Sequence, residues 1–174
     1  MTSTMPVFVA LLRAVNVGGT GKLAMSDLRR LCEAAGFRSV RTYIQSGNVV
    51  LASVLSRAKV KSKLEQALST KLGKPCGVLL RSGAELAAVL QRNPFKKAAP
   101  NRVLVLFLDE APARDALADL TIPGGEEVRL DGREVFVHFP NGMGRSRLRI
   151  PLAKTGTWRN LNTVAKLVAM VYAT

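Results

Sequence analysis

Residues able to hold an anion gather at two places early in the chain. The first is Asn16-Val17-Gly18-Gly19-Thr20-Gly21, with Arg13 before it and Lys22 after it. Gly18, Gly19 and Gly21 fall within four residues, which disfavours helix and strand and predicts a loop. Glycine admits backbone conformations closed to other residues, so N–H groups in such a loop can converge on an anion while Arg13 or Lys22 supplies positive charge. The second place is Gln45-Ser46-Gly47-Asn48, whose side chains offer donors and acceptors from a turn. The competing reading of both stretches is plain turn formation, with Ser26 or Asp27 capping the helix that follows. The loop is not a P-loop. Asn16 replaces the glycine required five residues before Gly21, and Leu23 stands where Ser or Thr would bind magnesium. The glycine spacing also fails the dinucleotide fingerprint.

A third set lies late in the chain. Arg145, Arg147 and Arg149 form a basic run after a glycine-rich turn, and with Arg159 and Lys166 they could contact phosphates. A solvated basic face explains the same run. A sheet that binds single-stranded RNA stacks bases on Phe or Tyr. Tyr43 is one candidate, but Val49-Val50-Leu51 lacks the aromatic pair expected on the third strand. His138 is the sole histidine, so a Ser46–His pair for nucleophilic catalysis would require the two halves to fold together. Cys32 and Cys76 sit in apolar patterns and read as buried, reduced thiols. No metal-ligand spacing exists, and the residues name no cofactor.

The elements that must position these groups follow from periodicity. Val7–Leu12 reads as a buried strand. From Ser26 the pattern is helical, with Met25, Leu28, Leu31, Cys32 and Ala35 on one face and Gly36 as the stop. Arg41–Gln45 and Val49–Leu51 are short strands around a hairpin turn, Ala58–Leu72 is a helix stopped by Gly73, and Val78–Leu80 is a strand. The order β-α-β-β-α-β is the split βαβ, ferredoxin-like arrangement, and it brings the end of the first strand and the hairpin to one edge of the sheet. The helix near Ser26 would aim its N-terminus at that edge, where free N–H groups favour an anion. Ala84–Gln91 reads as a helix and Ala98–Pro100 as a linker.

The pattern then restarts: strand Val103–Leu108, helix Arg114–Leu120, strands Glu127–Leu130 and Glu134–Phe139 around Asp131-Gly132, and a closing helix over Asn160–Tyr172. Arg145–Leu152 is ambiguous, and no fourth strand is evident in this part. The expected fold class is α+β, two tandem ferredoxin-like halves with the second imperfect. The expected division is residues 1–81, a helix and linker over 82–101, and residues 102–174 with the C-terminal helix.

The 174 residues are 48% hydrophobic and 22% charged, enough to bury a core and too apolar for a disordered chain. The net charge is +14, which favours anionic partners. Residues 1–81 carry 13 Lys/Arg against 3 Asp/Glu, and residues 82–174 carry 13 against 9. No apolar run approaches the roughly 20 residues of a membrane span, and no basic start leads into a long apolar stretch. A cytoplasmic protein without a membrane partner is the expectation.

The stretches from Leu11 to Gly19 (LLRAVNVGG) and from Thr42 to Val50 (TYIQSGNVV) resemble the signature of a bacterial family, domain of unknown function sixteen ninety-seven. Pro140–Leu148 (PNGMGRSRL) and Arg159–Val164 (RNLNTV) are similar to its C-terminal motifs. Trp158 here precedes Arg159, and Leu161 takes the place of the family's aromatic. The resemblance implies a tandem ferredoxin-like pair and no established activity. Three functional readings follow. The first is a binding module for an anionic small molecule or nucleic acid, using Arg13, Asn16, Gly18, Gly19, Lys22, Gln45, Ser46 and Asn48, with Arg145, Arg147 and Arg159 as further phosphate contacts. The second is a small enzyme acting on a polar molecule in the same cleft. The third is a protein-interaction or regulatory module. Oligomeric state is not legible in these residues.

Overall fold

A computed structural model of the chain describes residues 4–13, 23–43 and 47–173. They form two compact units, one from residues 1–85 with 167–174 and one from residues 86–166. The chain is α+β.

The first unit runs β1 (Val7–Leu12), α1 (Met25–Ala34), β2 (Arg38–Tyr43), β3 (Asn48–Ala52), α2 (Arg57–Leu72) and β4 (Val78–Ser82). Its strands lie in the order β2-β3-β1-β4, and every neighbouring pair is antiparallel. β1, and β3 after Asn48, read as apolar runs because they are central and buried on both faces. On one face Ala10, Leu12, Val49, Leu51 and Val78 meet Leu28 and Cys32 of α1 and Val60, Leu64 and Leu68 of α2. Burial, with the neighbouring Glu33, pushes the Cys32 thiol up to about 12.

The N-cap of α1 is Ala24, with no side-chain hydrogen bond. The expected capping by Ser26 or Asp27 is therefore absent, because both lie inside the first turn. α2 follows the rules closely. The Ser56 hydroxyl accepts from Lys59 N at 3.3 Å, and Gly73 closes the helix in the left-handed region at φ +70°.

The helix α3 (Gly83–Arg92) begins on a reciprocal cap. Ser82 Oγ accepts from Glu85 N at 3.1 Å, and Glu85 Oε1 accepts from Ser82 N at 3.0 Å. Arg57 adds an ion pair to the same carboxylate. Burial alone would raise the Glu85 pKa, but the hydrogen bond from Arg57, the two Ser82 bonds and the Arg57 charge outweigh it and hold the carboxyl at about 2. The folded-state value lies below the ordinary 4.5, so the stabilisation is present above that pH and disappears as pH falls towards 2. Because the pair is partly exposed, its contribution is about 1 kcal/mol after screening. Glu85→Gln is expected to flatten the acid limb of the stability curve in urea melts between pH 4.5 and 2. An unchanged acid limb would show that other carboxylates control it.

The second unit is built on β5 (Val103–Phe107), β6 (Glu127–Asp131), β7 (Glu134–His138) and β8 (Thr157–Asn160), in the order β6-β7-β5-β8 and again antiparallel throughout. Two sequence expectations change here. Residues Arg114–Asp119 are successive turns instead of a helix. Their bonds span three residues, as in Ala118 N to Asp115 O at 3.0 Å and Leu120 N to Leu117 O at 3.1 Å, and never lengthen to the four-residue spacing of an α-helix. The missing fourth strand is β8. Its Thr-Trp-Arg-Asn sequence buries Thr157 and Arg159, so hydrophobic alternation gives no signal. The ambiguous stretch resolves into short 3-10 turns at Met143–Arg145 and Pro151–Lys154 with irregular chain between them. The closing helix α4 spans Leu161–Tyr172.

Candidate functional site

The expected edge of the first sheet takes shape from backbone pairing. Leu11 is registered with Asn48, and Leu12 N donates to Gly47 O at 2.9 Å. The end of β1 therefore meets the start of β3. On its other side Arg13 N donates to Gly77 O at 2.8 Å, just before β4. The Arg13 side chain lies along the Gly77 backbone, so closely that a Cβ at Gly77 would stand 3.1 Å from Nη1. Cys76 Sγ donates to Arg13 O at 3.6 Å, and burial raises its pKa. Gly47 sits at φ +76°, and a Cβ there would come 2.9 Å from Leu12 Cβ, so glycine is required on both counts.

Asn48 is fully buried and donates from Nδ2 to Tyr43 O at 3.0 Å, closing the β2–β3 turn. Of the eight residues expected to bind a ligand here, Arg13 and Asn48 are brought to one edge. Asn16, Gly18, Gly19, Lys22, Gln45 and Ser46 lie outside the described residues. Tyr43, the candidate for base stacking, is half-buried, and Val49, Val50 and Leu51, which lack the aromatic pair, are wholly buried.

The late arginines separate. Arg145, Arg147 and Arg149 are exposed, whereas Arg159 is buried. Arg159 Nη1 donates to Thr157 Oγ1 at 2.7 Å and to Trp158 O at 2.8 Å, and burial lowers its pKa to about 10. Arg145 and Arg147 instead line a cavity of about 280 Å³ with Glu126, Asn141, Gly142 and Ser146. There Glu126 accepts from Ser146 Oγ at 2.6 Å and from Gly124 N at 2.8 Å. The Ser146 hydroxyl bond holds the Glu126 carboxyl below its ordinary range, so it is ionised at neutral pH. No motif in the sequence singles out Glu126. It stands 20 positions from Ser146, and no short-range signal joins the two. A larger groove of about 850 Å³ lies between α1 and α2, but it is an open furrow floored by Leu31, Ala34 and Ala67. His138 Nδ1 is 3.9 Å from Glu127 Oε1 on the paired strand, and no cluster of metal-ligating residues occurs among the described residues.

The model of a family of proteins of unknown function, DUF1697, matches residues 5–136. The chain belongs to that family. The match carries the LLRAVNVGG and TYIQSGNVV motifs, while the C-terminal motifs from Pro140 and Arg159 fall beyond it. This DUF1697 chain is similar in structure to a conserved bacterial protein, SP0830, from Streptococcus pneumoniae, with a TM-score of 0.80 and 24% identity. The likeness covers 98% of this chain and 100% of the other, and it concerns the fold alone. No curated protein matches this DUF1697 chain.

Proposed function

We propose that this DUF1697 chain is a binding module for an anionic, phosphate-bearing ligand, held at the edge of the first sheet where β1 ends and β3 begins. Both sheets are read as ferredoxin-like, in two halves over 1–81 and 102–174, and the protein as cytoplasmic. The observation that carries the function is Arg13. Its guanidinium is laid against Gly77 at the point where residue 13 leads into the glycine-rich stretch, beside the turn that Asn48 closes. A cation fixed there, next to backbone rich in glycine, is the arrangement that receives phosphate oxygens. The +14 net charge supports an anionic partner without choosing one.

The test is a titration with inorganic pyrophosphate by calorimetry and with a labelled single-stranded oligonucleotide by anisotropy, at ~50 mM salt, where phosphate contacts are least screened. The Asn16→Ala, Ser46→Ala double variant is expected to weaken binding while its thermal melt stays close to that of the wild type. A large loss of stability with unchanged affinity per folded molecule would make these residues turn-formers and end the reading. Absence of binding to either probe would end it as well.

A further inference from the structure

The second sheet has no α-helix between its strands among the described residues, and what covers it instead leaves room. Leu117, Leu120 and Leu148 from turns and irregular chain, and Leu152 from a short 3-10 turn, pack on the face made by Leu106, Val135 and Val137. Irregular segments do not tile a sheet as closely as two helices do. Beside the Glu126 cavity lies a second, of about 570 Å³, lined by Phe139, Met143, Leu148, Arg149, Lys154 and Trp158. The two cavities share Phe139 and Ser146, so they are neighbouring compartments of one depression.

The compartments differ in chemistry. The larger is walled by aromatic rings: Phe139 and Trp158 meet edge to face, with centroids 6.0 Å apart and planes at 68°. Trp158 is half-buried, with part of its surface still open. The smaller holds the ionised Glu126, fixed by Ser146 and Gly124. Ser146 is itself fixed, since its Oγ also accepts from Leu148 N at 3.0 Å. Arg145 and Arg147 line the small compartment and Arg149 the large one, and none of the three has an ion-pair partner among the described residues. Three cations left without counter-charge around a depression that holds a single carboxylate favour an anion. An aromatic wall favours a flat ring, because stacking needs no particular substituent. A carboxylate with lone pairs to spare accepts from hydroxyl or amino groups.

We infer that this depression is a mononucleotide site. The base stacks against the open part of Trp158, whose ring the buried Phe139 backs edge to face, the phosphates meet Arg145, Arg147 and Arg149, and Glu126 accepts from sugar hydroxyls or a base amino group. The combined space is within the roughly 300–1,000 Å³ of small-molecule sites. This site lies wholly in the second unit and is independent of the edge proposed in the first.

Trp158 is the only tryptophan, so its emission reports the site directly. The experiment is a fluorescence titration of the full chain, excited at the red edge of tryptophan absorption, with AMP, GMP, UMP and CMP and with adenosine. Saturable quenching by at least one monophosphate is expected, and adenosine is expected to bind about tenfold or more weakly, because it lacks the charge-assisted bonds to arginine. Arg145→Ala with Arg147→Ala should weaken binding by a similar factor. Arg145→Lys with Arg147→Lys, which keeps the charge, should restore part of it and serves if the alanine pair folds poorly. The Asn16→Ala, Ser46→Ala variant of the other site should leave the quenching unchanged. No saturable quenching by any monophosphate overturns the inference. So does quenching that ignores the arginines, quenching abolished by the first-unit variant, or quenching seen only with an oligonucleotide.

Discussion

Gly156→Ala is expected to destabilise the second unit by about 3 kcal/mol, the upper end of overpacking penalties. A Cβ at this position would stand 2.6 Å from the carbonyl oxygen of Phe107, 2.7 Å from Leu106 Cδ1 and 3.0 Å from Leu108 Cδ2. Side-chain tips can swing aside, but the Phe107 oxygen cannot. β5 is central in its sheet, with Phe107 paired to Glu134 on one side and to Thr157 on the other. Relief would have to come from β8 itself, which enters its pairing with β5 at Thr157, directly after the glycine. Gly144→Ala is the control, because nothing lies within 4 Å of a Cβ built there and its backbone is not in the left-handed region. The measurement is the urea midpoint of both variants. Equal midpoints would mean that β8 moves away at no cost, and the close approach would then carry no energetic weight.

Asn48→Ala is expected to cost about 1–3 kcal/mol with no ligand present. The side chain is fully buried, and its Nδ2 satisfies the Tyr43 carbonyl across the hairpin. Truncation removes the donor but leaves the acceptor. Replacing a buried partner on one side only is the expensive case, since the remaining group keeps its desolvation penalty. Asn48→Asp should cost more, because an ionised carboxylate has no proton to donate and adds a buried charge. Urea melts of both variants against the wild type test this. Wild-type stability in the alanine variant would make Asn48 available for a ligand in a way its burial does not suggest.

The same residue shows how far the sequence could be read. Asn48 stood out as part of a polar turn motif, and the topology inferred from periodicity placed it correctly beside the end of β1. Whether its amide faces a ligand or its own hairpin depended on burial, which a one-dimensional motif does not contain. Arg159 repeats the lesson: in the sequence it is grouped with the basic run of Arg145, Arg147 and Arg149 as a phosphate contact, and in the fold it is buried on β8. The strand itself was invisible, because Thr157 and Arg159 occupy inward positions that a hydrophobic pattern assigns to apolar residues. The Arg114–Leu120 expectation failed for the opposite reason. Its composition suits a helix, but helices this short depend on packing for their stability, and here the segment closes only three-residue turns.

By itself the sequence determined the family, the α+β class, seven of the eight described strands and the helices α1 to α4, because these rest on local periodicity, glycine stops and hairpin turns that need no distant partner. It also determined the net charge of +14. Only the tertiary structure decided that Glu126 and Ser146 meet across 20 positions, that Arg145 and Arg147 stay exposed while Arg159 does not, and that Trp158 walls a cavity. Those outcomes turn on which side chains lose water when the chain closes on itself, and that is a property of packing that no local pattern encodes.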